Sequence, residues 1–195
     1  ISLSVSRDIH PGYTNIACLI PAWLTLAGLA FDRQDALDHA AQKVRTWWTY
    51  QQLGDAPREY ASPAYLPLAL ISLAEIAARH PDPETRDLSL KGEQSIWRHA
   101  ARHYHRRTRR LAGPHSRIYD QAARFPLLAV ATGCDDEMGD PVAEGVGVYA
   151  TAAYHPPDGL ADLVLRRPCP QLLEERVEPW IALPRYELGA VRELA

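Results

Sequence analysis

Hydrophobic residues recur at helical spacing in two long, mostly apolar segments of this chain, near 16–27 and 65–77. Each apolar segment is followed by an amphipathic one, near 35–48 and 84–105, in which polar residues share one face. A helix that is apolar on nearly all sides is buried, whereas an amphipathic helix lies at the edge of the core. The pattern therefore predicts two helical hairpins, each with a buried inner helix and a half-exposed outer helix.

Local signals predict where these helices begin and end. Thr14 or Asn15 can cap the first helix, and Pro21 falls in its first turns, where a missing N–H costs least. Ser62 followed by Pro63 has the order of a cap and a first helical residue for the third helix. The segments 54–57 and 80–83 contain Pro together with Gly or Asp, and they separate the predicted helices.

A third apolar segment starts near Asp120 and ends at Gly133, so the hairpins recur at roughly 50 residues, which is typical of stacked helical pairs. The alternation of inner and outer helices predicts a mainly α fold, in which residues 1–135 are stacked hairpins of a partial α/α toroid. From Cys134 the helical period fades. Segments 145–150 and 174–183 alternate as short strands do, which predicts an irregular, β-containing C-terminal segment over residues 136–195.

The composition is that of an ordinary globular protein and excludes several classes. Of the 195 residues, 47% are hydrophobic and 23% are charged, and a net charge of −3 argues against nucleic acid as a partner. The three cysteines lie far apart, and no apolar run reaches the ~18–20 residues of a membrane span. The sequence has no P-loop, GxGxxG, nucleophile elbow or HExxH motif, so no cofactor is expected, and it does not identify a cell compartment.

Three loop motifs in this sequence resemble those of a known protein family. They are His10-Pro11-Gly12-Tyr13-Thr14-Asn15, the segment from Glu59 to Tyr65, and the segment from Ala112 to Tyr119. Their order around apolar helices resembles a bacterial and fungal α/α-toroid family that is similar to carbohydrate-active proteins of the heparinase II/III and alginate-lyase kind. The resemblance implies a glycan as the partner and a β-sandwich after the toroid. The reaction has to be argued from the site, because a fold does not fix a function.

The leading hypothesis is a polysaccharide lyase that works by β-elimination. Such an enzyme removes the proton beside a uronate carboxylate and expels the 4-oxygen, so it needs a group that neutralises the carboxylate, a base and an acid. Asn15 and Arg117 are suited to hold the carboxylate. His115 is suited to act as base, and Tyr119 as base or acid. The alternative is a loop whose His and Arg side chains cap helix ends.

Residues of the first two loops are candidate substrate contacts, because aromatic faces suit the C–H surfaces of sugars and a carboxylate accepts hydroxyl hydrogen bonds. These candidates are His10, Tyr13, Glu59, Tyr60 and Tyr65. The tyrosines could instead be packing residues, and Glu59 a surface acid. A second hypothesis, a glycoside hydrolase on the same scaffold, pairs Glu59 with Asp120 as the two carboxylates.

A dense basic run between 98 and 110 includes His99 and His103, which have the i, i+4 spacing of two metal ligands. Without an acidic or cysteine partner nearby in the sequence, we expect a solvated helix end favoured by the helix dipole, and no metal. The acidic stretch at 135–140 is expected to be an exposed loop, because Gly139 and Pro141 make it a turn.

A third hypothesis is a non-catalytic helical module, a truncated toroid whose last hairpin leaves an apolar face open. Such a face usually marks an interface, here for a partner or for a second copy of the chain in a homo-oligomer. The enzyme hypotheses instead require that the turns at 10–15, 59–65 and 113–120 lie on the same rim of the helical array.

Overall fold

The computed structural model describes residues 9–116, 124–132, 152–166 and 173–176, and within these ranges it is mainly helical. The elements in chain order are α1 (Thr14–Ala30), α2 (Gln34–Gln51), α3 (Leu66–Arg79), α4 (Pro83–His103), β1 (Tyr104–His105), β2 (Arg110–Leu111), α5 (Leu127–Thr132) and α6 (Leu160–Leu165). The predicted helical class is therefore confirmed. None of the helices in the described ranges combines the length and the apolar character needed to cross a bilayer.

The four long helices pack as two stacked hairpins. Helix α1 packs against α2 and α3, α3 packs against α4, and α2 packs against α4. Helix α3 is the inner helix of its hairpin, as its apolar pattern predicts, and Leu66, Leu70 and Leu73 on it are fully buried. The outer helices approach closely at Gly92 of α4, where a Cβ atom would lie 2.5 Å from Cζ3 of Trp47 on α2. Trp47, Trp97 and the α3 leucines belong to one apolar core.

The prediction that α1 is buried on nearly all sides is wrong. Trp23 is 57% exposed, and Leu26, Leu29 and Phe31 are also exposed. Helix α1 packs mainly against α2 and α3, and these two helices cover only part of its circumference. Pro21 is not in the first turns either. It is the eighth residue of α1, and its carbonyl accepts a hydrogen bond from Oγ1 of Thr25 at 2.8 Å.

The predicted caps are partly wrong. Neither Thr14 nor Asn15 caps α1, which begins after Tyr13 without a side-chain cap of its own. Helix α3 begins at Leu66 rather than at Pro63, although Oγ of Ser62 accepts the backbone N–H of Tyr65 at 3.3 Å. These ends depend on loop contacts that helical periodicity does not encode.

The end of the second hairpin differs from its prediction. Helix α4 ends at His103 rather than near 105, because Tyr104 and His105 form β1 and pair with β2 across a short turn. Helix α5 begins at Leu127, several residues after the predicted start, and residues 117–123 lie outside the described ranges.

The C-terminal part contains a helix that the sequence analysis missed. Helix α6 follows Gly159, packs against α4, and buries Leu160 and Val164 in the same core as Leu66. The predicted strand at 145–150, the acidic stretch at 135–140 and residues 177–183 lie outside the described residues. Residues 174–176, the described part of the other predicted strand, are not in a strand.

Candidate functional site

Three loops that are distant in sequence meet at one end of the hairpins. The backbone N–H of Asn15 donates to Oε2 of Glu59 at 2.7 Å. The backbone N–H of Ser116 donates to the carbonyl of Tyr60 at 2.9 Å. The structure thus brings together the turns at 10–15 and 59–65 and the described part of the turn at 113–120. Arg117, Tyr119 and Asp120 lie outside the described residues.

Glu59 caps the first turn of α1, although it lies 44 residues from Asn15 in the sequence. Its side chain is buried, and its carboxylate binds an N–H group in the first turn of α1, where the helix dipole favours a negative charge. Oδ1 of Asn15 is buried and has no hydrogen-bond partner within the described part of the chain. The structure therefore gives Glu59, predicted as a sugar contact, a structural contact with the α1 backbone.

His10 is buried beside a second aromatic group. Its Nδ1 accepts the backbone N–H of Gly12 at 2.9 Å, and its ring packs edge-on against Tyr50 with centroids 5.2 Å apart. The guanidinium of Arg58 lies over the Tyr50 ring at 5.0 Å. Tyr13, another predicted sugar contact, is half-buried in the same loop as His10. Tyr65 is also half-buried, immediately before α3.

The most concentrated group of titratable side chains is formed by Tyr60, His99, His103 and Glu175. His99 and His103 lie one turn apart on α4, and Tyr60 packs edge-on against both imidazoles, at centroid distances of 5.0 and 4.9 Å. The Tyr60 hydroxyl donates to Oε2 of Glu175 at 2.7 Å, and Nε2 of His103 lies 2.8 Å from the same oxygen. The carboxylate thereby joins α4 to the loop before α3.

Glu175 reaches this group because residues 173–176 dock on the loop after α2. Asp55 and Arg176 exchange two hydrogen bonds, from N of Asp55 to O of Arg176 and from N of Arg176 to Oδ2 of Asp55, each 2.8 Å long. The Arg176 guanidinium also donates to the carbonyl of Leu53 at 2.9 Å. Glu175 is not predicted from the sequence, since it lies 72 residues from His103 and no spacing rule links the two.

The charges in this group are set by burial and by the shared carboxylate. Burial alone would raise the pKa of Glu175, but the nearby imidazole of His99 and the hydrogen bonds from His103 and Tyr60 outweigh it and lower the pKa to about 2. Burial lowers the pKa of His99. Burial, followed by the hydrogen bond to Glu175 and its charge, raises the pKa of the Tyr60 hydroxyl. At neutral pH the group therefore holds an anionic Glu175, a neutral His99 and a neutral Tyr60.

Ala61 connects this group to His115. Its backbone N–H donates to Nε2 of His99 at 3.1 Å, and its carbonyl lies 3.0 Å from Nδ1 of His115. A carbonyl can only accept, so Nδ1 of His115 carries a proton, and the lone pair of the neutral ring is on Nε2. Ala61 has a φ of 44°, a left-handed conformation that is strained for a residue with a side chain.

A pocket of about 350 Å³ is lined in part by His99. This volume is within the range of small-ligand sites, roughly 300–1,000 Å³. Its lining combines one indole, three cations and several hydrogen-bonding groups: Trp48, Gln52, Asp55, Lys91, Gln94, Ser95, Arg98, His99 and Arg102. The basic run is thus divided, because Arg98 and Arg102 are exposed in this pocket while His99 and His103 are buried.

Candidate metal ligands are also present in the described part of the chain. His99, His103 and Glu175 each offer one ligand atom, and these atoms all lie within 4.8 Å of one another. The sequence shows the i, i+4 spacing of the two histidines but predicts no metal, because no acidic partner lies close to them in the sequence. The fold supplies that acidic partner from residue 175.

The fold and the site define a protein of stacked helical hairpins with a buried group of histidines, a tyrosine and a glutamate. The sequence profile described as "Domain of unknown function (DUF8769)" matches residues 4–132, and the chain belongs to this family. The matched range includes Tyr60, His99, His103 and His115, whereas Glu175 lies beyond it. Comparison with curated proteins and with solved structures gives no match.

Proposed function

We propose that this protein is a carbohydrate-active enzyme that acts on an acidic glycan by lyase-type β-elimination, on hairpins that form part of an α/α toroid. The observation that carries the proposal is the pocket beside His99. Its indole, Trp48, suits the apolar face of a sugar ring, and its cations, Lys91, Arg98 and Arg102, suit a uronate carboxylate.

The base in this proposal is His115. Its Nδ1 proton is held by the carbonyl of Ala61, so Nε2 can take the proton from the carbon beside the carboxylate. His115 is not among the residues that line the pocket, so the glycan has to extend from the pocket past His99 and Ala61 to reach it. The electron pair then forms a carbon–carbon double bond as the bond to the 4-oxygen breaks. Tyr119 returns a proton to the leaving oxygen, and Asn15 and Arg117 help hold the carboxylate. The roles of Arg117 and Tyr119 rest on residue type and sequence position, and Asn15 is a buried residue in the first turn of α1.

The test is the ultraviolet absorbance of an unsaturated sugar when the protein is mixed with polyuronates and sulfated uronate polymers. We expect His115→Ala to lose at least about 100-fold in kcat, since general base catalysis contributes roughly 10²–10⁴-fold. His105→Ala is the matched control, because His105 lies at the surface and bonds only locally, to Thr108. Full activity in His115→Ala would remove the assignment of the base.

Glu59 is better suited to support the loop than to form half of a hydrolase pair. Its carboxylate is buried and already bound to the α1 backbone, so a substrate oxygen would have to displace that bond. The same assay separates the two reactions, because a hydrolase releases reducing ends without unsaturated-sugar absorbance. Release of reducing ends alone would therefore favour the hydrolase over the lyase.

Self-association is a second candidate function, favoured by the apolar stripe on α1. Trp23, Leu26, Leu29 and Phe31 are all exposed, which is uncommon for four large apolar residues on and next to one helix. The stripe lies on the first hairpin, not on the last one as expected for an open edge. Light scattering tests it: Trp23→Ser should reduce the apparent mass if two copies meet here. A monomer at all concentrations argues against this function.

A further inference from the structure

We propose that His99, His103 and Glu175 form a binding site for Zn²⁺ or a similar divalent transition metal. All three side chains are at most 6% exposed, and their ligand atoms lie within 4.8 Å of one another. Two imidazoles and one carboxylate are the donor set of many three-ligand zinc sites, whereas Mg²⁺ and Ca²⁺ prefer oxygen ligands alone. The inference concerns binding and does not rest on the proposed reaction.

The strongest support for the proposal is the spacing of two buried atoms at the centre of the group. Nδ1 of His99 and Oε1 of Glu175 face each other at 3.5 Å, and neither has a hydrogen-bond partner among the described residues. A direct hydrogen bond would bring them to about 2.9 Å. Two ligand atoms held about 2.1 Å from a tetrahedral ion are instead separated by about 3.4 Å. Their spacing therefore fits a shared ion better than it fits a direct bond.

The remaining contacts place a fourth polar side chain, Tyr60, beside the three candidate ligands. The Tyr60 hydroxyl lies 2.7 Å from Oε2 of Glu175, and Nε2 of His103 lies 2.8 Å from the same atom. An ion bound by His99, His103 and Oε1 would leave Oε2 to accept the Tyr60 proton. Such a hydrogen bond orients a ligating carboxylate, a role that second-shell groups commonly have in metal sites. Tyr60 is thus assigned as a positioning residue for Glu175.

Metal binding requires a proton to move on each imidazole. His103 now directs an N–H at Glu175, and His99 carries its proton on Nδ1 because Nε2 accepts the N–H of Ala61. To ligate an ion, the ring nitrogen that faces the site gives up its proton, and the other ring nitrogen carries one instead. The hydrogen bond from Ala61 to His99 is then lost, so the loop at 60–62 has to shift. Ala61 is the strained residue of that loop, with a φ of 44°.

The experiment is zinc binding by chelator-treated full-length protein, measured by calorimetry and by metal content after dialysis. We expect one zinc per chain and an increase in Tm of about 5 °C at zinc concentrations well above Kd. His103→Ala and Glu175→Gln should each weaken zinc binding by more than about 10-fold. Circular dichroism of the zinc-free variants checks that they fold, and Glu175→Gln keeps the size of the side chain if His103→Ala does not.

Matched controls separate this site from adventitious binding by surface histidines. His155→Ala removes a half-exposed histidine that contacts Glu93, and this variant should keep full zinc binding. Mg²⁺ in place of Zn²⁺ should leave the Tm of the wild type unchanged. Two results would overturn the proposal. One is a wild type that takes up no zinc, and the other is equal zinc binding by wild type, His103→Ala and Glu175→Gln.

Discussion

Glu59 binds the backbone N–H of Asn15 at 2.7 Å, although 44 residues separate the two in sequence. The contact does the work of a helix cap, but it comes from the loop between the two hairpins rather than from the residue before α1. It therefore joins the start of α1 to the residues just before Tyr60 and Ala61. The position of the loop at 59–65 and the stability of α1 therefore depend on the same Glu59 carboxylate.

Replacing Glu59 with Ala should destabilise the protein by about 2 kcal/mol, at the upper end of the values for lost caps, because a first-turn N–H becomes unpaired in a buried place. The free energy of unfolding from urea titration measures this loss. Glu84→Ala is the matched control, since Glu84 is an exposed acid in the first turn of α4 and forms only a surface ion pair with Arg45. Its loss should stay below about 1 kcal/mol. Equal losses would contradict the distant-cap interpretation.

Glu93 should make stability depend on pH in the direction opposite to most carboxylates. Burial raises its pKa, and this outweighs the hydrogen bonds from His155 and Trp97. The unfolded chain therefore releases the Glu93 proton at lower pH than the folded chain does. Stability from this group is fully present below the unfolded pKa and is lost as pH rises through the folded pKa.

Glu93→Gln removes the buried charge and keeps an oxygen that can accept from Trp97 and from the N–H of His155. We expect the variant to gain stability relative to the wild type as pH rises from 4 to 7. Asp82→Asn provides the contrast, because the hydrogen bond from Thr85 lowers the pKa of this α4 cap. Because the pKa of Asp82 is lowered from 3.8, its deficit relative to the wild type should grow as pH rises to about 4 and stay nearly constant from there to pH 7. Urea titrations below pH 4, at pH 4 and at pH 7 check the two opposite slopes.

The sequence predicts the parts of this fold that depend on short spacing. Apolar periodicity identifies α1 to α4, and the i, i+4 spacing correctly places His99 and His103 on one helix face. It cannot show which sides of an apolar helix have neighbours, so the exposure of Trp23 was missed. Glu175 was missed for a related reason: its position depends on Asp55 and Arg176 pairing across 121 residues, which no local pattern encodes.

The pocket cations should control substrate affinity more than turnover. Arg98 and Arg102 line the pocket but do not belong to the proposed acid–base group. Each change, Arg98→Gln or Arg102→Gln, should raise KM for an acidic glycan by about 3- to 10-fold with little change in kcat, and high salt should reduce the difference. Arg79→Gln is the control, because Arg79 lies on α3 and pairs with Glu75 at the surface. A fall in kcat without a change in KM would contradict a binding role.

A substitution at Ala61 tests how much backbone strain the loop at 59–65 stores. It is fully buried with a φ of 44°, and its N–H and carbonyl contact His99 and His115. A left-handed conformation costs a residue with a side chain roughly 1–2 kcal/mol, while glycine adopts it freely and loses more entropy on folding. We therefore expect Ala61→Gly to stabilise the protein by up to about 1 kcal/mol in urea titrations. Ala78→Gly, at an exposed position of α3, should instead destabilise it by up to about 1 kcal/mol. A loss of stability in Ala61→Gly as large as that in Ala78→Gly would show that the loop is not strained at this residue.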